Sequence, residues 1–523
     1  MSGGNGRGEA DPASTHGKHR MKDRVIQIVR DSAWYMGVNL VSAAIGFIAI
    51  PIFTRIFNPS DYGIYSLVNT AITLGAPIFY VYLHSSVMRF YPEYEKKGET
   101  DLFYSTAFHY VPYFMIMFLG LLLPLAIFVL PLGQYRLVIC LGIAVFALYS
   151  LYNVMLAFLR IRQMTWQYAS LYVFVQFTNY LVGAGIAVWL NAGIAGPFWG
   201  WLVALAVAVL LQMWALGVWG RVRSGRNSPA LQKEFFRFGF ALIFTTFLTD
   251  ILTASDRYMV MAMKGAFQVG LYTVVYTLIM SVERIMVSFM VLAAVPVIYR
   301  LYEEEGEESA IELVKRVTRY FLIILAPVVV GLCVLRDPIL HVITSPKYYA
   351  ASSIMTPLAI GIFLSNLAWL PLMAFRLKKK SNMSLFPMAI AAASNVVLNL
   401  VLISRYGYTG AAWATLISYF LYFVLLTAIG QGYMKWSFPW AGAARVLAAS
   451  AVMGVALFGL ERTRIEGLAG LLALVASGAV IYFAVLVLVG GITRSELAFA
   501  AGILARIPLV GIPFSRWKRG SGK

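Results

Sequence analysis

Glu283 and Arg284 stand side by side near the middle of an apolar stretch, residues 270–298, and Asp250 with Asp256-Arg257 lies inside the stretch before it, 238–262. A charge at a bilayer centre costs roughly 2.5–3.5 kcal/mol on insertion scales, so such residues face water, one another or a ligand. Adjacent helical residues point about 100° apart, so Glu283 and Arg284 cannot both serve one face as a simple pair. Asp250 and Arg257, two helical turns apart, share roughly one face. These residue types suit the capture of an anion. A guanidinium offers a planar fork matched to phosphate oxygens, which a lysine does not, and Asp250 or Glu283 could accept a proton or a sodium ion. The same charges would equally serve as interhelical ion pairs that lock the seventh and eighth apolar stretches together.

Weaker polar candidates are Asn39, Gln176, Asn179, Asn395 and Asn399, each inside an apolar run. They suit either the lining of a wet cavity or hydrogen bonds across helices, the commoner use of such side chains in membranes. His84 and His109 fall at or near the ends of stretches, where interfacial packing is the simpler reading. Many of the 30 Tyr and 12 Trp fit interfacial belts, with Trp369 and Tyr419 as candidates to stack on sugar rings. No nucleophile constellation, metal cluster or glycine-rich phosphate loop is visible, so neither an enzyme nor a metal site is expected. Cys140 and Cys333 read as small packing residues.

The elements that must position these groups follow from composition. Apolar residues make up 60% of the 523 and charged residues 12%, and the mean hydropathy is +0.76, far from a soluble norm of about a quarter charged. Stretches of about 20 apolar residues, enough to cross a hydrocarbon core of about 30 Å, recur near 33–54, 64–87, 104–130, 136–158, 167–190, 197–219, 238–262, 270–298, 320–340, 353–375, 383–403, 410–430, 441–459 and 468–490. They are continuously apolar, without the alternation of barrel strands. The expected fold class is therefore all-α: a polytopic membrane protein of about 14 transmembrane helices. Residues 1–20 are polar and read as a disordered tail in which His16 and His19 have no metal role. Residues 21–32 suit a short amphipathic helix lying on the membrane. With the N-terminus inside, most of the 42 Lys and Arg fall in inside segments, among them Arg221, Arg223, Arg226, Lys233, Arg376 and Lys378 to Lys380. Both termini are expected to be cytoplasmic. Most of the +19 net charge is this topology signal, and basic residues spread over separate short loops give no support to a nucleic-acid partner.

Three phrases recur in the same order at nearly one spacing. Tyr62-Gly-Ile-Tyr-Ser-Leu is echoed by Val269-Gly-Leu-Tyr-Thr-Val, Gly193-Ile-Ala-Gly196 by Gly407-Tyr-Thr-Gly410, and Arg89-Phe-Tyr by Arg300-Leu-Tyr. Fixed-offset similarity in so apolar a chain is how duplicated transporter halves read. The expected organisation is a cytoplasmic tail and amphipathic helix (1–32), an N-lobe of spans 1–6 (33–219), a basic linker (220–237), a C-lobe of spans 7–12 (238–430), two extra spans (431–490) and a basic C-terminal tail (491–523). Six is even, so the two pseudo-symmetric lobes share one orientation and are related by rotation about the membrane normal. Substrate should bind between them near the midplane.

Three segments carry a family resemblance. Phe247-Leu-Thr-Asp250 through Ser255-Asp256-Arg257 to Lys264-Gly265 and Val269-Gly270-Leu-Tyr272 resembles the seventh-span signature of polysaccharide-type flippases. Asn39 to Pro51-Ile-Phe-Thr-Arg55, with Asn58-Pro59-Ser-Asp-Tyr62-Gly63, is similar to their first span and following loop. Asn395-Val-Val-Leu-Asn399 to Gly407-Tyr-Thr-Gly410 is similar to their eleventh and twelfth spans. The resemblance is to the O-antigen and exopolysaccharide (Wzx-like) transporters of the multidrug/oligosaccharidyl-lipid/polysaccharide (MOP) superfamily, which also contains multidrug extruders and lipid II flippases. It implies a MATE-like fold and a flippase that turns an undecaprenyl-pyrophosphate-linked oligosaccharide across the bacterial inner membrane, coupled to protons, sodium or membrane potential, with other polysaccharide assembly proteins as partners. It also implies that Arg284 and Arg257 hold the pyrophosphate and that Arg55 and Arg89 mark the cavity's two mouths. The first span lacks the mid-span arginine of the lipid II branch, which argues against a peptidoglycan precursor. Two other readings stand beside it. A cation-coupled drug extruder would suit a predominantly acidic cavity, and a membrane polymerase or ligase would need a large outer loop that this chain lacks.

Overall fold

A computed structural model describes residues 37–109, 111–129, 133–222, 227–461 and 467–492. The expected N-terminal tail and amphipathic helix, and nearly all of the basic C-terminal tail, lie outside the described residues. Among those described there is no β-strand, and thirteen helices are long and apolar enough to cross a membrane.

The stretch that carries the first copy of the echoed phrases, named the first repeat after them, comprises α1 (Gly37–Ile56), α2 (Pro59–Lys96), α3 (Thr100–Phe108), α4 (Val111–Pro124), α5 (Arg136–Ile161), α6 (Thr165–Phe177), α7 (Gly183–Trp189) and α8 (Ala195–Leu216), followed by the short α9 (Val218–Val222). The second comprises α10 (Pro229–Lys264), α11 (Ala266–Glu304), α12 (Glu307–Val334), α13 (Arg336–Ile343), α14 (Met355–Leu367), α15 (Trp369–Leu377), α16 (Leu385–Tyr406) and α17 (Tyr408–Gln431). Two further spans, α18 (Trp440–Glu461) and α19 (Gly467–Leu488), close the chain.

The expected third span, 104–130, is not one helix. It is divided into α3, α4 and a π-helical turn over Leu125–Val129, and only Met115–Val129 forms a shorter apolar helix. A proline lacks a backbone donor and suits the first turn of a helix, and Pro112 is the second residue of α4.

Helix starts follow local chemistry. Asn58 caps α2, its Oδ1 accepting from the Asp61 amide at 2.9 Å, with Pro59 in the first turn. Ser228 caps α10 in the same way, accepting from the Leu231 amide at 3.3 Å ahead of Pro229. Gly265, at φ +82°, lets the chain turn sharply from α10 into α11.

The described helices form two compact units, one within Met1–Ala310 and Ile343–Lys435 and the other within Ile311–Val342 and Trp436–Lys523. The smaller unit thus joins α12 to α18 and α19. Tyr482 donates to the Ile323 carbonyl at 2.8 Å, and Gly454 leaves room for Val330.

In the larger unit, α2 and α11 are nearly equal in length, 38 and 39 residues, about 57 Å each at 1.5 Å per residue. They cross at Gly63 and Gly270. A methyl group at Gly63 would overlap the Ala266 carbonyl oxygen, and one at Gly270 the Pro59 carbonyl oxygen. Ser66 Oγ lies 3.2 Å from Thr273 Oγ1, 207 residues away, and the Gly63–Gly270 and Pro59–Ala266 pairs share that spacing. The repeated phrase therefore packs against its own repeat, with small residues allowing the backbones to approach. The second echo has one role in both places as well. Gly196 lets α8 press on Ala187 of α7, and Gly410 lets α17 press on Leu402 of α16.

Candidate functional site

Two polar regions lie between the repeats at different depths. Near the Pro59 end, α2, α10, α11, α16 and α17 converge on a buried network. Asp256 is 1% exposed and Arg257 7%. Asp256 Oδ1 accepts from the Arg257 amide at 2.7 Å, and its Oδ2 accepts from the Tyr272 hydroxyl and, at 3.3 Å, from Thr415. The Arg257 guanidinium stands 4.2 Å above the Tyr276 ring and reaches Thr70 of α2 at 3.4 Å. Tyr276 pairs with Tyr419 at 3.4 Å. Ser255 donates to Asn395 Oδ1 at 3.0 Å, and Asn399 donates to the same atom at 2.9 Å. A buried charge is tolerated only when its hydrogen-bonding positions are filled and a counter-charge or aromatic face is near. Here the partners come from four helices of the second repeat and one of the first.

The same end is tied by the chain around residue 345. The last turn of α1 leaves carbonyls without intrahelical partners. Ser345 donates to the Thr54 carbonyl at 2.8 Å and Tyr348 to the Phe57 carbonyl at 3.1 Å. Arg55 donates to the carbonyls of Pro51 at 2.8 Å and Ile343 at 3.3 Å, so this arginine also bridges the repeats.

Toward the Lys96 end the arrangement changes. Glu283 is buried and accepts from the Asn366 side chain of α14, while its Oε1 is buried without a hydrogen bond. Arg284, about 27 Å along α11 from its start, points the other way: its side chain is exposed and lies within electrostatic reach of the Tyr180 hydroxyl in the first repeat. Tyr180 sits in a π-helical turn, Thr178–Val182, between α6 and α7. Such turns re-aim side chains and recur at functional positions. Asn179 in the same turn is buried, and its Oδ1 lacks a partner. Around this region stand Tyr80 of α2 and Tyr168 and Tyr172 of α6, the last two ring-stacked at 6.0 Å. Asp250 of α10 is half-buried, within electrostatic reach of Tyr80 and Tyr258, with its Oδ2 unpartnered.

The structure thus brings Asp256, Arg257, Asn395 and Asn399 into one buried network, with Asp250 half-buried near Tyr80 and Arg284 exposed near Tyr180. Asn39 is exposed on α1, and Arg89 is exposed at the Lys96 end above the Phe90 ring at 5.8 Å. Sequence reasoning missed Thr70, Tyr180, Tyr272, Asn366 and Thr415. Tyr272 lies inside the repeated phrase and could have been picked out; a lone Thr or Asn in an apolar run carries no such signal. No group of three or more metal-ligating side chains occurs among the described residues.

A profile described as polysaccharide biosynthesis protein matches residues 28–302. An uncharacterized membrane protein of Methanocaldococcus jannaschii is 26% identical over 122 residues, 23% of this chain, which spans 24% of that relative's length. Among solved structures, the lipid II flippase MurJ in an inward closed conformation superposes with a TM-score of 0.66 at 15% identity, over 89% of this chain and 98% of MurJ. An inward-facing multidrug resistance MATE family transporter of the MOP superfamily gives 0.61 at 15% identity, over 75% of this chain and 94% of its own. At these identities the likeness is one of fold.

Proposed function

This chain belongs to the polysaccharide biosynthesis protein family, and we propose that it is a flippase that moves an undecaprenyl-pyrophosphate-linked oligosaccharide from the cytoplasmic to the outer face of a bacterial inner membrane. It is a multi-pass membrane transporter of MOP type. The observation that carries the finer reading is Arg284: an exposed side chain at mid-helix within electrostatic reach of Tyr180 in the first repeat. In this reading it faces a wet space between the repeats, since contact with lipid would cost roughly 2.5–3.5 kcal/mol. A planar cation in a low-dielectric cleft is suited to a pyrophosphate. Tyr80, Tyr172 and Tyr180 supply ring faces and hydroxyls for sugars, while the polyprenyl tail stays among lipid chains.

In this reading the Asp256–Arg257 network holds the Pro59 end closed, and Glu283 and Asp250 are the carboxyls available for ion coupling. Alternating access then requires the α2–α11 crossing at the Pro59 end and the α2–α10 contact at the other end to open in turn. The test is Arg284→Ala in a strain that depends on the transporter. Export of the lipid-linked glycan is expected to fall at least a hundredfold with normal membrane abundance, and Arg284→Lys is expected to restore only part of it. Normal export by Arg284→Ala refutes the site.

A further inference from the structure

A cavity of about 630 Å³ lies where α10 of the second repeat meets α2, α3, α4 and α5 of the first, with Tyr80 on the wall it shares with the Arg284 region. Its walls are largely apolar, with Phe79, Phe118, Phe146 and Phe236 among them; Thr106, Gln232 and Lys233 stand where α10 begins, and Tyr80, Tyr82 and Ser150 are its other polar side chains. That end is built. Gln232 donates to the Thr106 carbonyl at 3.3 Å, and the Ser228 amide donates to Thr106 Oγ1 at 3.1 Å, fixing the start of α10 against α3. From Pro229 to Ile243 the cavity follows α10 for about 21 Å, slightly more than one leaflet of a core about 30 Å thick.

We propose that this cleft is a binding site for an anionic phospholipid of the bilayer, one acyl chain lying among the phenylalanines and its phosphate at Lys233. A narrow apolar slot of leaflet depth with a cation at its interfacial end matches a lipid chain joined to an anionic head group. Basic pockets between transmembrane helices recruit such lipids in the same way. Arg237, one turn further along α10, adds to the positive charge, while the adjacent Glu234 points to another face of the helix. The tail of a polyprenyl substrate is far longer than the slot, which favours a bilayer lipid as occupant. The site adjoins a place where the repeats touch. Ser86 of α2 donates to the Phe235 carbonyl at 3.3 Å, and Gly239 admits the backbone of Tyr82. A lipid wedged beside that contact holds α10 against α2 and favours the arrangement in which this end is closed.

The test uses the full chain carrying Phe118→Trp, reconstituted in phosphatidylcholine vesicles with rising fractions of phosphatidylglycerol whose chains are dibrominated. Quenching beyond that of the unsubstituted chain is expected to saturate at a few per cent of the brominated anionic lipid, and Lys233→Gln is expected to raise the half-point about fivefold. Brominated phosphatidylcholine should quench only in proportion to its mole fraction. Equal quenching by both lipids, or no shift in Lys233→Gln, overturns the proposal, as does displacement of the brominated lipid by stoichiometric undecaprenyl phosphate. Native mass spectrometry of the unsubstituted protein supplies a second reading that needs no reporter: retention of one phosphatidylglycerol, lost in Lys233→Gln, supports the site, and equal retention of phosphatidylcholine refutes it.

Discussion

Ser66 and Thr273 meet across the α2–α11 crossing with their hydroxyl oxygens 3.2 Å apart, and each holds the same place in its repeat. If the Pro59 end opens during transport, these two side chains must separate. Ser66→Cys with Thr273→Cys, in a chain whose Cys140 and Cys333 are replaced, is expected to form a disulfide on mild oxidation, because the two hydroxyl oxygens, whose places the sulfurs would take, stand 3.2 Å apart. Export should stop on oxidation and resume on reduction, read as mobility shift and glycan export in the same cells. Continued export by the fully cross-linked protein would show that this crossing does not open.

The crossing itself tolerates little added volume. Gly63→Val and Gly270→Val are each expected to lower the melting temperature in detergent, at a cost of about 1–3 kcal/mol or more. The two losses should be less than additive, since each disrupts the same contact. Gly46→Ala, on α1 with nothing within 4 Å of an added carbon, should melt like the parent. Thermal unfolding of the purified variants separates the two cases.

Arg257→Ala leaves the Asp256 carboxylate buried without its neighbouring cation. The expected destabilisation is about 3–5 kcal/mol, larger than that of Tyr272→Phe, which removes one buried hydroxyl at about 1–3 kcal/mol. Replacing both Asp256 and Arg257 by apolar residues of similar size should recover much of the stability lost by Arg257→Ala. A double-mutant cycle on thermal unfolding measures this.

Glu283 and Asn366 form a second buried pair, and Glu283→Gln preserves both its volume and its capacity to accept from Asn366. The variant is expected to reach the membrane in normal amount and to lose at least tenfold in export, as fits a carboxyl whose protonation is used in transport. Glu283→Leu should lose abundance too. Immunoblotting beside a glycan export assay reads the two quantities separately; normal export by Glu283→Gln would make the carboxyl purely structural.

The close helix contacts were legible because glycine there has no substitute: Gly63, Gly270, Gly196 and Gly410 stand out in the echoed phrases and all sit at backbone contacts. The apolar spans were legible for a similar reason, since bilayer thickness fixes their length. The division of 104–130 into α3 and α4 hid behind an apolar run that never becomes polar, with Pro112 its only signal. The joining of α12 to α18 and α19 in one unit was invisible, because lipid-facing and protein-facing positions are equally apolar in a membrane. The charged residues were found by their rarity, but their partners were not. Thr415 and Asn366 are ordinary residues until the helices carrying them are brought together, and among the 30 Tyr only the place of Tyr272 in the repeated phrase sets it apart.

Pro59 faces Gly270 and Ala266 faces Gly63, so one side of the crossing is a copy of the other. Contacts of that kind are what a symmetric homodimer presents: a patch that recognises itself, where any change of sequence is felt twice. Joined in one chain, the two copies are freed from that doubling. Asp256 and Arg257 stand on the second repeat alone, and their counterparts at the same spacing in the first are Ala49 and Ile50. One half of the molecule has kept an apolar surface while the other took on charge, a division of labour that a pair of identical subunits cannot reach.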